Sequence, residues 1–131
     1  MADDHPLRRL ETLTLIAIGG FAGSNLRFFT LGYLPETGAV LLVNVLGSLV
    51  LGFVVYEAQY TDIVDPTARV VLTTGFLSSL TTYSTFSLQT ALAAGPLEVA
   101  AIVVGNYGLG FIGVLLGRAA ARRVRDGGGR S

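Results

Sequence analysis

The chain has 131 residues, of which 51% are hydrophobic and only 14% charged, and it is therefore far more apolar than a soluble domain of this size needs to be. Its nine basic and nine acidic residues cancel, and it contains no cysteine, which excludes disulfides and thiolate metal sites. The composition indicates a membrane protein.

Four apolar windows are each long enough to cross a hydrocarbon core, which takes about 20 helical residues. The windows cover residues 13–33, 39–56, 70–94 and 97–117. Transmembrane strands alternate apolar and polar residues, whereas these windows are apolar on all sides and favour helices. We therefore predict an all-α membrane protein, a single four-helix domain over 1–131, with a polar tail at 1–11 and a basic tail at 118–131.

The first window contains an arginine, Arg27, in the stretch GGFAGSNLRFF. A guanidinium inside a membrane helix costs several kcal/mol unless it reaches the interface or lines a watery cavity. Two interpretations remain open. Arg27 either extends to the interface near Tyr33, or forms an electropositive vestibule that attracts anions.

The second window contains Asn44, in VNVLGSLVLG. Its amide could join two helices, a contribution of only about 0.6 to 2 kcal/mol. It could also supply uncharged N–H donors to a small anion, which makes Asn44 a candidate site residue.

The third window contains the stretch SSLTTYSTFS at 78–87, with seven serine and threonine residues among ten. Their hydroxyls compete with the helical hydrogen bonds, so we predict a helix break near residues 78–82. Non-helical backbone at membrane depth is tolerated only inside protein or beside a water-filled path, and broken helices offer free carbonyl and N–H groups to ions.

Small residues four positions apart recur in three of the windows. The pairs are Gly19 and Gly23, Ser48 and Gly52, and Gly113 and Gly117. Such pairs allow membrane helices to approach closely, and together they predict a compact bundle and a dimer.

The basic residues are distributed asymmetrically. With four spans, eight of the nine arginines lie on one side, namely Arg8, Arg9, Arg69, Arg118, Arg122, Arg123, Arg125 and Arg130, and the opposite loops carry none. Cytoplasmic loops are enriched in arginine. We therefore expect a multi-pass protein of the cell membrane with both termini in the cytoplasm.

The motifs in this order resemble those of the fluoride channels of the Fluc, or CrcB, family. The matching stretches are GGFAGSNLRF, VNVLGSLVLG, GFLSSLTTYSTFS and, more weakly, NYGLGFIGVLLG. The resemblance implies an antiparallel dimer of four-helix subunits that passes fluoride out of the cytoplasm and so reduces its toxicity. It also implies a broken third helix and a structural sodium ion at the dimer interface.

The same resemblance implies roles for individual residues. Backbone carbonyls of Ser78 and Thr81 would hold the sodium ion, and Arg27 would lie at the vestibule. The fluoride pathway would be lined by Asn44, Tyr83, Ser84, Thr85, Phe86 and Asn106. The chain departs from the family pattern at several positions: Tyr83 replaces a phenylalanine, Gln89 a glutamate, Ile102 a tyrosine, Asn106 a serine and Ser78 a glycine.

The arginine bias also bears on the partner. An antiparallel homodimer needs one sequence to insert in both orientations, and a bias of eight arginines against none opposes this. We therefore predict a homologous second subunit with the reverse bias, forming an antiparallel heterodimer. The departures at Tyr83 and Ile102 suggest that one of its two pores is degenerate.

Two other functions are compatible with a small bundle of four membrane helices. A small multidrug exporter needs an ionisable carboxylate at mid-membrane, but the glutamates near the windows, Glu11, Glu36, Glu57 and Glu98, lie at span ends. A non-conducting assembly subunit would keep the fold without transport. No catalytic constellation indicates an enzyme, and we expect His5, in a polar tail, to be solvated.

Overall fold

The computed structural model describes residues 5–128, and all of the regular structure within that range is helical. The helices are α1 (Pro6–Tyr33), α2 (Glu36–Tyr60), α3 (66–80), α4 (Tyr83–Leu92) and α5 (Pro96–Gly128). Helix α3 consists of Pro66–Val70, a π-helical segment Val71–Leu77 and a last turn Ser78–Leu80. The predicted all-α class is confirmed.

The first and last helices are longer than the apolar windows. Helix α1 begins at Pro6, a residue suited to the first helical position, and the Nδ1 atom of His5 accepts a hydrogen bond from the backbone N–H of Leu7 at 3.4 Å. Helix α5 continues through the predicted basic tail to Gly128. Apolar windows stop at the first charges, whereas helical hydrogen bonding does not. Residues 1–4 and 129–131, including Arg130, lie outside the described range.

Helices α2 and α5 are long and apolar enough to cross a membrane, and they pack closely against each other. A methyl group added at Gly117 would meet the backbone of α2 at Leu49 and Phe53, and one added at Gly52 would meet the backbone at Val114. These glycines let the two backbones approach. The predicted close packing through small residues is therefore present.

Helix α1 packs in the same way against α3. A Cβ atom at Gly23 would overlap the carbonyl group of Phe76, and one at Gly75 would overlap the backbone at Ile16. Gly19 and Gly23 are the buried residues of α1. The α1–α3 contact therefore holds the segment just before the polar stretch.

The connection between α2 and α3 is organised by a carboxylate that we did not single out from the sequence. Glu57 is only 1% exposed, and its Oε1 atom accepts from the backbone N–H groups of Ile63 at 2.6 Å and Val64 at 3.2 Å. Arg69 lies 3.4 Å from its Oε2 atom and 2.8 Å from Asp62 Oδ1. This network fixes where α3 begins relative to the end of α2.

Candidate ion pathway

The polar stretch interrupts the helix between α3 and α4. In a continuous helix the N–H of Thr82 would bond to the carbonyl of Ser78, but it bonds to Asn44 Oδ1 at 2.8 Å. The N–H of Thr85 bonds to Thr82 Oγ1 at 3.2 Å instead of to the carbonyl of Thr81. Thr82 is thus the N-cap of α4. The interruption falls within the predicted range 78–82, and its depth in a membrane stays a prediction.

Asn44 binds both backbone polar groups of Thr82, the residue at this interruption. Its Oδ1 atom accepts from the N–H of Thr82, and its Nδ2 atom donates to the carbonyl of the same residue at 3.1 Å. The Nδ2 atom also donates to Asn106 Oδ1 at 3.3 Å. A carboxamide has two N–H groups, and both of them are engaged here.

A pocket of about 310 Å³ lies beside the interruption. Asn44, Asn106, Tyr83, Phe86 and Tyr107 are among its lining residues. The ring of Phe86 lies 5.7 Å from that of Tyr83 and meets the ring of Tyr107 edge to face at 5.8 Å. Aromatic rings carry a positive edge, so this cluster offers an uncharged surface that can face an anion. Tyr107 was not among the pathway residues predicted from the sequence.

A second pocket, of about 380 Å³, also has Asn44 in its lining, together with Ser78 and Thr81. The Nη1 atom of Arg27 donates to the carbonyl of Thr81 at 3.3 Å in a partly buried position. Arg27 therefore contacts the backbone at the helix interruption. The two interpretations made from the sequence, the membrane interface and an electropositive vestibule, both stay predictions.

Two predicted pathway residues line neither pocket. Ser84 and Thr85 lie on the first turn of α4 and belong to a row of hydroxyls with Thr82, whose Oγ1 atom is 3.3 Å from Ser84 Oγ and 3.0 Å from Thr85 Oγ1. Further along α4, the side-chain nitrogen and oxygen of Gln89 are buried without a hydrogen-bond partner among the described residues.

The groups beside the interruption match the chemistry of a monovalent cation site. No group of three or more His, Cys, Asp or Glu side chains that could hold a metal lies within residues 5–128. The carbonyls of Ser78 and Thr81 have lost their usual helical donors, as described above, and unwound carbonyls coordinate sodium in other membrane proteins. Arg27 occupies one lone pair of the Thr81 carbonyl and leaves the other.

Comparison with known proteins identifies the family. Residues 14–118 match the family model described as CrcB-like protein, Camphor Resistance (CrcB). The chain is 48% identical over 128 residues to "Fluoride-specific ion channel FluC 1" of Haloarcula marismortui, covering 98% of this chain and 99% of that protein. It is 44% identical over 122 residues to "Fluoride-specific ion channel FluC 2" of Halobacterium salinarum, covering 92% and 94%. The chain belongs to the CrcB family.

Proposed function

We propose that this chain is a pore-forming subunit of a fluoride channel, which lets fluoride leave the cytoplasm down its gradient and so reduces fluoride toxicity. The observation that carries the proposal is the interrupted helix at Thr81–Thr82, flanked by an amide, two aromatic rings and a guanidinium. The names of the relatives support the same ion, since each is called a fluoride-specific ion channel.

The proposed channel crosses the cell membrane four times, with both termini in the cytoplasm. Helix α1 and the pair α3–α4 supply the two spans beyond α2 and α5. The arginines near the start of α1, at the start of α3 and at the end of α5 support this topology, because positive residues are retained on the cytoplasmic side. The interruption between α3 and α4 then lies near the middle of the membrane.

The proposed assembly is an antiparallel heterodimer with a homologous subunit of reverse arginine bias. The arginine distribution supports it, and relatives with numbered names, FluC 1 and FluC 2, are compatible with paired paralogues. We further propose that a sodium ion lies between the subunits, held by carbonyls of Ser78 and Thr81. When bound, such an ion supplies a fixed positive charge beside the anion path.

The residues of this chain account for passage without tight binding. The guanidinium of Arg27 raises the local concentration of anions near the interruption. The edges of the Phe86 and Tyr83 rings replace part of the water around the anion. The residues that line the pocket of about 310 Å³ are uncharged. A full positive charge in this lining would hold the anion too strongly, because conduction requires sites that the ion can leave.

The direct test is release of fluoride from lipid vesicles that contain the purified full chain, alone and together with a homologous subunit of reverse bias. A fluoride electrode should record rapid release from vesicles with both subunits, and a chloride electrode should record little. Robust release with this chain alone would refute the heterodimer. Folded protein that releases no fluoride in either form would refute the channel, and release driven only by a proton gradient would favour an exporter.

A non-conducting assembly subunit remains the second candidate, because Tyr83 and Ile102 depart from the family pattern. The two candidates differ in their response to substitution. If the pocket of this subunit conducts, Phe86→Ile lowers fluoride release from folded protein. A folded subunit that only supports assembly would leave release unchanged by this substitution.

A further inference from the structure

The hydrogen bonds of Asn44 raise the question of how an anion gains access to it. The pair of bonds to the Thr82 backbone fixes the orientation of the amide, because the oxygen must face the N–H and the nitrogen must face the carbonyl. One N–H group of the Nδ2 atom then remains. In the structure this group donates to Asn106 Oδ1.

The orientation of Asn106 is also fixed by a second bond. Its Nδ2 atom donates to the carbonyl of Ile102 at 2.9 Å, one turn earlier in α5. The oxygen of the same amide must therefore face Asn44. Both asparagines line the pocket of about 310 Å³. The Asn106 oxygen therefore accepts from the N–H group of Asn44 that an anion in this pocket would need.

The contact between the two asparagines has the geometry of an interaction that can be displaced. Its N···O distance of 3.3 Å is longer than the usual 2.9–3.0 Å of an N–H···O bond. Hydrogen bonds to an ionised acceptor are about twice as strong as those between neutral groups. An anion can therefore take the N–H from Asn106, while the two bonds to Thr82 keep Asn44 in place.

We propose that Asn106 is a positioning residue that sets the fluoride affinity of this subunit by competing for the second N–H group of Asn44. In the absence of fluoride its oxygen satisfies that donor, and fluoride must displace it in order to bind. The inference rests on the proposed function, since it concerns the same pocket. The resemblance places Asn106 along the fluoride pathway, and the inference gives it a specific role, that of acting on the anion through its contact with Asn44.

Two substitutions at this position are expected to act in opposite directions. Asn106→Ala removes the competing oxygen and should lower the half-saturating fluoride concentration about fivefold, the factor that corresponds to the net contribution of one hydrogen bond. Asn106→Asp substitutes an ionised acceptor that holds the N–H more strongly, and it should raise the half-saturating concentration by at least as much. Asn25→Ala is the matched control, because the Asn25 Nδ2 atom also donates to a carbonyl one turn earlier, that of Phe21 at 2.8 Å.

The experiment follows the side-chain amide resonances of Asn44 by NMR while sodium fluoride is added to the purified full chain with its partner subunit. Fluoride release from vesicles is measured in parallel. Opposite shifts of the midpoint in the two Asn106 variants, with no shift in the Asn25 control, support the inference. It is overturned if Asn106→Ala leaves the midpoint unchanged, if both variants shift it the same way, or if fluoride does not move the Asn44 resonances.

The two measurements separate this inference from the proposed function. Protein that shows the opposite midpoint shifts but releases no fluoride from vesicles would contradict the channel and leave the role of Asn106 supported. Rapid release with midpoints that do not depend on residue 106 would support the channel and overturn the role of Asn106.

Discussion

Replacement of Asn44 by alanine tests whether this side chain holds the helix interruption together. The substitution removes both partners of the Thr82 backbone, and Thr82 is only 6% exposed. A buried polar group left without a partner costs about 1–3 kcal/mol, so the loss of two such partners should lower the free energy of unfolding by about 2–6 kcal/mol. The range is large compared with a typical surface substitution, which changes stability by about 0.5 kcal/mol or less.

The assay combines two measurements on protein in lipid bicelles. Reversible unfolding gives the change in free energy, and hydrogen exchange monitored by NMR gives the protection of the Thr82 amide. Asn44→Ala should reduce both, with the largest loss of protection at residues 81–85. Asn25→Ala is the control, because its amide bonds only to its own helix, and it should change the unfolding free energy by about 0.5 kcal/mol or less. Equal stability of wild type and Asn44→Ala, or unchanged exchange at Thr82, would refute the reasoning.

Three further predictions concern the bundle, the loop and the vestibule. Gly117→Ala should destabilise the protein by about 1–3 kcal/mol in the same unfolding assay, because its Cβ would meet the backbone of α2, whereas Gly108→Ala, which has open space around it, should not destabilise it. Glu57→Gln weakens the acceptor that organises the α2–α3 connection and should speed hydrogen exchange at residues 61–65; unchanged exchange would contradict the assigned role. Arg27→Gln keeps an N–H donor for the helix interruption but removes the charge, so fluoride release should fall and depend less on ionic strength; a release rate equal to wild type would contradict the role of Arg27 in attracting anions.

The helix interruption could be predicted from the sequence because its cause is local. Seven hydroxyl-bearing residues among ten offer the backbone alternative partners, and Thr82 indeed supplies one as the N-cap of α4. The other partner, Asn44, lies 38 residues away in the sequence. No local pattern connects the two positions. The sequence therefore indicated Asn44 as a candidate site residue but not its bonds to the Thr82 backbone.

The close packing of α2 against α5 could also be predicted from the sequence, since small residues four positions apart mark surfaces where membrane helices approach closely. The role of Glu57 in the α2–α3 connection was missed for a physical reason. In the sequence, a carboxylate at the end of an apolar window resembles a solvated interface residue. The N–H groups of Ile63 and Val64 reach it only because the chain turns back after α2. Helices α1 and α5 extend beyond the windows predicted from the sequence, because hydropathy records only the apolar part of a helix and not its full length.

The central claim is that fluoride passes beside the helix interruption, along the ring of Phe86. The most direct measurement is the initial rate of fluoride release from vesicles that contain the channel with Phe86→Ile, compared with wild type and with Phe29→Ile on the exposed side of α1. Because isoleucine retains much of the volume without a positive ring edge, we predict that the Phe86 variant loses most of the release while the Phe29 variant matches wild type. Folded Phe86→Ile protein that releases fluoride at the wild-type rate would contradict the account.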